Sequence, residues 1–177
     1  AGLTVELDRF DHLMTEQRTR ARAARKQATD AGSSVELASR LVQEHGPTEF
    51  DGYEHLFGSG KVLAISDGLS GLDSASEGDE VDLILNRTVF YAEGGGQVGD
   101  RGVFKGASFE GRVIDTRRLV EGLTGHRVKI TAGEVASGDD VDMVVDPRWR
   151  NGSQRAHTAT HILHWILRDR LGDHARQ

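Results

Sequence analysis

Apolar and small residues recur three and four positions apart through about the first 29 residues, which is the spacing of one face of an α-helix. This pattern predicts a long helix whose packed stripe comprises Leu3, Leu7, Phe10, Met14, Gln17, Ala21, Ala24 and Ala28. Ser33 and Glu36 then have the spacing of a capping box, and a short apolar stripe follows them until Gly46 and Pro47. The sequence therefore predicts a helical hairpin over residues 1–47.

After Pro47 the pattern changes to short runs in which apolar and polar residues alternate, as they do in β-strands. Turn-forming pairs such as Asp67-Gly68 and Ser137-Gly138 separate these runs. A series of short strands punctuated in this way is typical of a small antiparallel barrel or a sandwich. Within residues 48–147 the predicted strands are residues 61–65, 81–85, 108–116, 126–130 and 141–145.

Helical periodicity returns in the last segment, residues 148–177. Residues 154–171 contain neither glycine nor proline, and their apolar side chains Ile162, Leu163, Ile166 and Leu167 share one side of a helix. The three segments together predict an α+β fold with an N-terminal helical hairpin, a small antiparallel β-barrel and a C-terminal helix.

The composition excludes several classes of protein. Of the 177 residues 37% are hydrophobic and 28% are charged, as in a globular protein with one ordinary core. No apolar run approaches the ~20 residues that span a bilayer, and the first residues lack a signal-peptide pattern. The chain has no cysteine, so disulfides and thiolate chemistry are excluded, and a reducing, cytoplasmic location is expected.

The net charge of −6 is unevenly distributed. Residues 31–146 contain 21 acidic and 10 basic side chains, whereas the two ends of the chain are basic. Arg18, Arg20 and Arg22 belong to a run of residues, 17–27, that contains no acid and could contact a nucleic-acid backbone. The alternative interpretation is a solvated helix face.

Two stretches contain candidate functional residues, and the first is a group of histidines on the predicted C-terminal helix. His157, His161 and His164 lie within about 60° of one another around a helix, and the i, i+4 spacing of the first two lets both imidazoles reach one metal ion, usually Zn²⁺. The residue after His157 is Thr158, so the glutamate base of an H-E-x-x-H protease is absent. An incidental role for these histidines is the alternative.

The second stretch, residues 88–102, contains three consecutive glycines, Gly94, Gly95 and Gly96, followed by Gln97. Such a run indicates either a flexible hairpin loop or a place where the backbone approaches another surface, with free N–H groups that could bind a phosphate or carboxylate. No P-loop, dinucleotide fingerprint or Ser-His-Asp arrangement is visible, so an ATP site is not expected in this chain.

Taken together, these elements resemble the alanyl-tRNA synthetase family, over nearly the whole chain and in the family's order. The resemblance rests on Phe10 with the Arg18–Arg22 segment, on Phe50-x-Gly52-Tyr53, on the stretch from Thr88 to Asp100 with its Gly95-Gly96-Gln97, and on His157-x-Ala159-Thr160-His161 with Gln177. It implies the end of the tRNA-recognition region (residues 1–47), the barrel of the editing domain (48–147) and the start of its zinc-binding lobe (148–177).

The resemblance also implies a function. The family attaches alanine to its tRNA with ATP, and its editing domain hydrolyses tRNA(Ala) that carries serine or glycine by mistake. By resemblance, His157 and His161 are two ligands of a Zn²⁺ ion whose other ligands come from a Cys-x-x-x-His beyond Gln177. Thr88, Gln97 and Gln177 belong to the editing pocket, with Thr88 pairing with the serine side chain, and residues 94–96 line the tRNA 3′ end.

Because no methionine starts the chain and only two of the four zinc ligands are present, we expect a piece of a longer protein that binds zinc weakly and does not edit alone. ATP and Mg²⁺ are expected only in the family's catalytic domain, and the expected partner is tRNA(Ala), not DNA or a membrane. Two alternatives remain open: a non-enzymatic tRNA-binding barrel, and a freestanding editing hydrolase, including one of the threonyl type. The N-terminal hairpin argues against a freestanding editor, and the glycine-rich motif argues against the threonyl type.

Overall fold

The computed structural model describes residue 9, residues 32–68 and residues 70–172. Within these residues the chain forms helix α1, then ten strands, then helix α2. Their bounds are α1 Gly32–His45, β1 Glu49–Phe50, β2 Phe57–Ser66, β3 Gly71–Leu72, β4 Ser74–Ser76, β5 Glu80–Leu85, β6 Arg87–Thr88, β7 Gly102–Gly106, β8 Phe109–Val120, β9 Leu123–Ala136, β10 Asp140–Val145 and α2 Pro147–Leu171.

Six of the strands form a closed antiparallel barrel. The strand order is β10-β7-β8-β9-β5-β2, and β2 pairs again with β10, so the sheet has no free edge along this path. The alternating side chains that point inward form a continuous apolar core. Its largest fully buried members include Phe90, Phe104, Ile65, Leu83 and Met143.

Short strands extend the barrel at its margins. Strand β3 pairs with the end of β2, β4 pairs with the end of β9, and β1 pairs in parallel with β6. The β1–β6 pair matters most for the site, because β6 leads directly into the glycine-rich stretch that follows Thr88.

Helix α1 packs against the outside of the barrel. Its apolar side chains Ala38 and Leu41 are buried against Ile84 of β5 and Leu123 of β9 in a second, smaller core. The helix ends at the predicted place, where Gly46 has a positive φ of 78° and its N–H donates to the carbonyl of Val42. The first helix of the predicted hairpin lies outside the described residues.

Helix α2 begins earlier than residue 154, where the sequence analysis placed it. Its N-cap is Asp146, whose carboxylate accepts hydrogen bonds from the N–H groups of Arg148 and Trp149, and Pro147 occupies the first turn. The predicted boundary was wrong because Gly152 was treated as a helix breaker, although α2 continues through it. Neither described helix is long and apolar enough to span a membrane.

All five predicted strands are present, as β2, β5, β8, β9 and β10. Four of the predictions lie within the observed strand, and the prediction for residues 108–116 begins one residue before β8. The prediction missed β7, residues 102–106, because two glycines flank it and only three residues separate them. The α+β class and the antiparallel barrel are confirmed.

Candidate functional site: a cleft between the glycine turn and helix α2

The three glycines form a tight turn with a fixed backbone. Gly94 and Gln97 exchange both of their backbone hydrogen bonds, at 3.1 and 3.0 Å, and Gly95 and Gly96 between them have positive φ angles of 60° and 78°. Two consecutive positive φ angles are typical of a type I′ turn, for which glycine is favoured. The N–H groups of Gly95 and Gly96 point to no acceptor within the described part of the chain. This glycine turn therefore presents two free donors to solvent.

The chain on either side of the glycine turn is pinned to the barrel. The N–H of Tyr91 donates to the carboxylate of Asp100 at 2.7 Å, and the N–H of Asp100 donates back to the carbonyl of Tyr91 at 2.9 Å. The N–H of Glu93 donates to the carbonyl of Thr116 on β8. A Cβ on Gly99 would collide with the same carbonyl of Thr116. The segment is thus a rigid hairpin and not a flexible loop.

A buried arginine attaches helix α2 to this hairpin. The guanidinium of Arg150, in the first turns of α2, forms an ion pair with the fully buried carboxylate of Asp100, with Nε 2.8 Å from Oδ2. Its remaining N–H groups donate to the carbonyls of Gly52 and Val89. Next to it, the indole N–H of Trp149 donates to the carbonyl of Gly99, and Arg101 stacks on the indole ring at 3.8 Å. The position of α2 is therefore set by the motif that contains the glycines.

The two motifs singled out in the sequence meet across a cleft of about 150 Å³. One wall is the glycine turn with Gln97 and Val98, and the other is the face of α2 that carries His157. The α2 wall also includes Ser153, Ala156 and Thr160. The side chain of Gln97 makes no hydrogen bond within the described residues, so its amide is free to bind a ligand.

His157 and His161 lie side by side on the exposed surface of α2. Their Nε2 atoms are 3.0 Å apart, and their rings are nearly perpendicular with centroids 4.5 Å apart. His164 does not join them: within the described residues no group of three or more His, Cys, Asp or Glu side chains is arranged to hold a metal ion. The structure thus brings together two of the three candidate imidazoles.

Thr88 is almost completely buried and does not line the cleft. Its hydroxyl accepts a hydrogen bond from the N–H of Phe90 at 3.0 Å and lies 2.8 Å from Nε2 of His126. Nδ1 of His126 is 3.0 Å from the carbonyl of Leu83, which can only accept, so Nδ1 carries the proton and Nε2 accepts from Thr88. Full burial lowers the pKa of His126 from 6.5 to about 4, so the imidazole is neutral at physiological pH.

The other candidate residues from the sequence analysis, Gln177 and the arginines Arg18, Arg20 and Arg22, lie outside the described residues. Three residues that build the site were not predicted: Asp100, Arg150 and His126. Asp100 only ends the glycine-rich motif in the sequence, and His126 has no second histidine at ligand spacing, so neither stands out. Nothing in the local pattern distinguishes Arg150, which is buried, from Arg148 and Arg155 of the same helix, which are exposed.

Comparison with known families gives one match that covers most of the chain. Residues 1–149 match the model of the family described as tRNA synthetases class II (A). The match ends at Trp149, in the first turn of α2. It therefore includes the glycine turn but not the two histidines.

Individual relatives extend the similarity through the histidines. The chain is 43% identical over 176 residues to an alanine–tRNA ligase of Pelotomaculum thermopropionicum and 42% identical over 176 residues to one of Clavibacter michiganensis subsp. michiganensis. It is 41% identical over 196 aligned residues to an alanine–tRNA ligase of Mycolicibacterium smegmatis. These alignments cover 99–100% of the chain and 20% of each relative, so the chain spans about a fifth of the length of the curated relatives it matches.

Proposed function

The chain belongs to the class II tRNA synthetase (A) family, and from this premise we propose that it forms part of an editing site for misacylated tRNA(Ala). The observation that carries the proposal is the cleft that is lined on one side by the glycine turn, with its two free N–H groups, and on the other by the His157 side of α2. Hydrogen-bond donors across a cleft from His157, which with its neighbour His161 would hold a metal ion, would suit the hydrolysis of an ester. The named relatives are alanine–tRNA ligases, which makes alanine-specific tRNA the expected nucleic-acid partner.

A Zn²⁺ ion fits the two histidines. Two nitrogens that each lie ~2.0–2.1 Å from a tetrahedral zinc are about 3.3 Å apart, close to the 3.0 Å between Nε2 of His157 and Nε2 of His161. Two imidazoles make half of a tetrahedral set, so the remaining ligands would come from outside the described residues. When bound, zinc would supply Lewis-acid polarisation of the ester or activation of a water molecule.

The reaction we propose is the addition of water to the ester carbonyl, followed by cleavage of the bond to the ribose oxygen. The products are a free amino acid and an uncharged tRNA. The N–H groups of Gly95 and Gly96 are placed to donate to the carbonyl oxygen as negative charge develops on it, and the turn that holds them needs no rearrangement. The amide of Gln97 would orient the substrate in the cleft.

By family resemblance, Thr88 would pair with the serine side chain, which would have to reach a buried hydroxyl that does not line the cleft. Its oxygen has one lone pair left after the hydrogen bonds to Phe90 and His126, and this lone pair could accept the hydroxyl of serine.

A second hydrolytic site of this kind is needed because a pocket for alanine excludes glycine and serine imperfectly: one methyl group is worth only about 1–3 kcal/mol.

The test is the release of serine from Ser-tRNA(Ala). It compares the 177-residue chain with a chain extended at its carboxyl end by the segment that follows the aligned region in the Pelotomaculum relative. We expect hydrolysis and stoichiometric zinc only in the extended chain. In that chain His157→Ala should abolish zinc retention, and Gln97→Ala should lower the rate by about 10²-fold or more.

His164→Ala is the matched control, because His164 lies on the same helix, does not line the cleft and does not join the histidine pair. Equal loss of activity in His164→Ala and His157→Ala would contradict the assignment of the pair. Steeply salt-dependent tRNA binding without hydrolysis in either chain would favour a non-enzymatic tRNA-binding barrel.

A further inference from the structure

An aromatic pocket lies apart from the cleft and shares none of its lining residues. It has a volume of about 190 Å³, and the rings of Phe50, Tyr53 and Tyr91 line it above a buried floor of Phe90 and Leu123. Its polar rim includes Arg118 of β8. The editing proposal uses none of the side chains that line this pocket.

The rings of this pocket are exposed in a way that packing does not explain. Tyr53 is 84% exposed, and its contact with Phe50 is edge to face with centroids 4.9 Å apart, so a ring face of Tyr53 is open to solvent. Tyr91 also meets Phe50 edge to face, at 6.1 Å. One exposed and two half-buried aromatic rings gathered around a concave surface are typical of a binding site for a planar or apolar group.

The backbone that presents Tyr53 is held firmly. The carbonyl of Gly52 accepts from Arg150, and the N–H of Asp51 donates to the carbonyl of Thr88. The carboxylate of Asp51 pairs with Arg87 at 3.1 Å. A Cβ on Gly52 would collide with the carbonyl of Val89 and with the ring of Phe50. Tyr53 is therefore an exposed side chain on an ordered turn, which reduces the entropy lost on binding.

Charge distinguishes a nucleotide from a purely apolar ligand. Arg118 forms no ion pair with any described carboxylate, whereas its neighbour Arg117 pairs with Asp82 at 2.8 Å. An unpaired guanidinium beside open aromatic rings matches the phosphate and base of a single-stranded nucleotide.

The pocket is also close to the cleft. Ala92 lines the pocket and Gly95 lines the cleft, and three residues of chain span at most about 10 Å. Arg150 joins the two places, because it holds both the Gly52 turn and the Asp100 end of the hairpin. A strand of RNA whose end occupies the cleft could therefore place a neighbouring nucleotide in the pocket.

We propose that the pocket formed by Phe50, Tyr53 and Tyr91 binds an unpaired nucleobase of the RNA whose aminoacylated end enters the cleft, with Arg118 contacting a phosphate. This inference rests on the proposed function for the identity of the RNA. The affinity comes mainly from stacking, since only one unpaired cation lines the pocket and the surrounding segment is acidic.

The test measures the anisotropy of a 5′-labelled RNA hairpin with a single-stranded 3′ end, bound to the 177-residue chain. A second hairpin has abasic nucleotides in the single-stranded end. Tyr53→Leu should weaken binding of the first hairpin about 5- to 100-fold and leave binding of the second unchanged, while Tyr53→Phe should bind like the unaltered chain. Arg118→Gln should make the negative slope of log affinity against log salt shallower by about 0.7, the value for one phosphate of a single strand.

Phe57→Leu is the control, because Phe57 is another exposed aromatic residue, 72% exposed, that does not line the pocket. Equal losses in Phe57→Leu and Tyr53→Leu, or equal binding of the normal and abasic hairpins, would overturn the proposal. So would binding of a proline-rich peptide that Tyr53→Leu abolishes, if the RNA does not bind.

The two proposals fail separately. If the extended chain hydrolyses Ser-tRNA(Ala) and Tyr53→Leu changes neither binding nor rate, the nucleobase pocket is wrong and the editing site stands. If the hairpin binds through Tyr53 and no ester is hydrolysed, the pocket stands and the editing site is wrong.

Discussion

The hydrogen bond between Thr88 and His126 illustrates how a buried side chain holds the start of the glycine-rich hairpin. Neutral His126 uses one nitrogen to donate to Leu83 and the other to accept from Thr88, so both of its polar atoms are satisfied inside the barrel. A protonated ring would have to donate from both nitrogens, so the hydrogen bond with Thr88 would have to reverse and use the last free lone pair of its oxygen. The contact that holds Thr88, at the start of the glycine-rich hairpin, is thus sensitive to protonation of His126.

This arrangement predicts that acid destabilises the fold. The pKa of His126 is about 4 in the folded chain and about 6.5 in the unfolded chain, so unfolding takes up a proton between these values. The contribution of neutral His126 to the free energy of unfolding is fully present above pH 6.5. It is lost as the pH falls towards 4, by up to about 3 kcal/mol. Urea unfolding at several pH values should show this slope, and His126→Asn should reduce it. An unchanged slope in His126→Asn would assign it to carboxylates instead.

The glycines of one motif have different roles, and alanine substitution should separate them. Gly99→Ala places a Cβ against the carbonyl of Thr116, and we expect it to cost about 3 kcal/mol of unfolding free energy. The Cβ of Gly95→Ala would have no atom within 4 Å, so the only cost is that of alanine in a left-handed backbone conformation, about 1 kcal/mol of unfolding free energy. Thermal unfolding of the two variants measures the difference. A smaller effect for Gly99→Ala than for Gly95→Ala would mean that β8 moves aside.

At the scale of elements, the buried ion pair between Arg150 and Asp100 is one of several contacts that attach α2 to the barrel. Arg150→Met leaves the carboxylate of Asp100 buried without its partner, and we expect a loss of about 3–5 kcal/mol in urea unfolding. Adding Asp100→Leu removes that charge and should recover part of the loss. Recovery is incomplete because the carbonyls of Gly52 and Val89 still lack their donor. If Arg150→Met alone left the free energy of unfolding unchanged, the carboxylate of Asp100 would have to be solvated in solution.

The elements themselves were largely predictable because their signals are local. Alternation of apolar and polar residues identified the strands that became β2, β5, β8, β9 and β10, and the end of α1 followed from Gly46 and Pro47. The start of α2 was not predictable from the absence of glycine, since the N-cap at Asp146 outweighs the cost of Gly152 inside the helix. Strand β7 was missed because glycines at both ends leave too short a pattern.

At the scale of the whole molecule, the sequence singled out candidate side chains but did not predict how the fold brings them together. Closure of the barrel pairs β2 with β10, about 80 residues later, and no local pattern specifies such a partner. Burial of Arg150 follows from that closure, because Gly52, Val89 and Asp100 surround it only in the folded barrel. The cleft between the glycine turn and α2 was therefore anticipated through family resemblance and not through periodicity.

The far half of α2 makes a prediction about the molecule as a whole. Its apolar side chains Ile162, Leu163, Trp165, Ile166, Leu167 and Leu171 are all at least 40% exposed, so they contribute little to the stability of the barrel. A chain that ends after residue 160 should have an unfolding free energy within about 0.5 kcal/mol of the full chain, because surface changes rarely cost more. It should also be more soluble, since a large exposed apolar surface favours aggregation.

Urea unfolding followed by circular dichroism measures the first effect, and light scattering measures the second. Leu41→Ala is the positive control, because Leu41 is buried between α1 and the barrel and its loss should cost about 2–5 kcal/mol. A shortened chain that loses as much as Leu41→Ala would contradict the exposure of these side chains. It would mean that they pack in solution against residues outside the described part of the chain or against a second copy. Unchanged stability would leave these side chains free to pack against another partner; the chain spans about a fifth of the length of the curated relatives it matches.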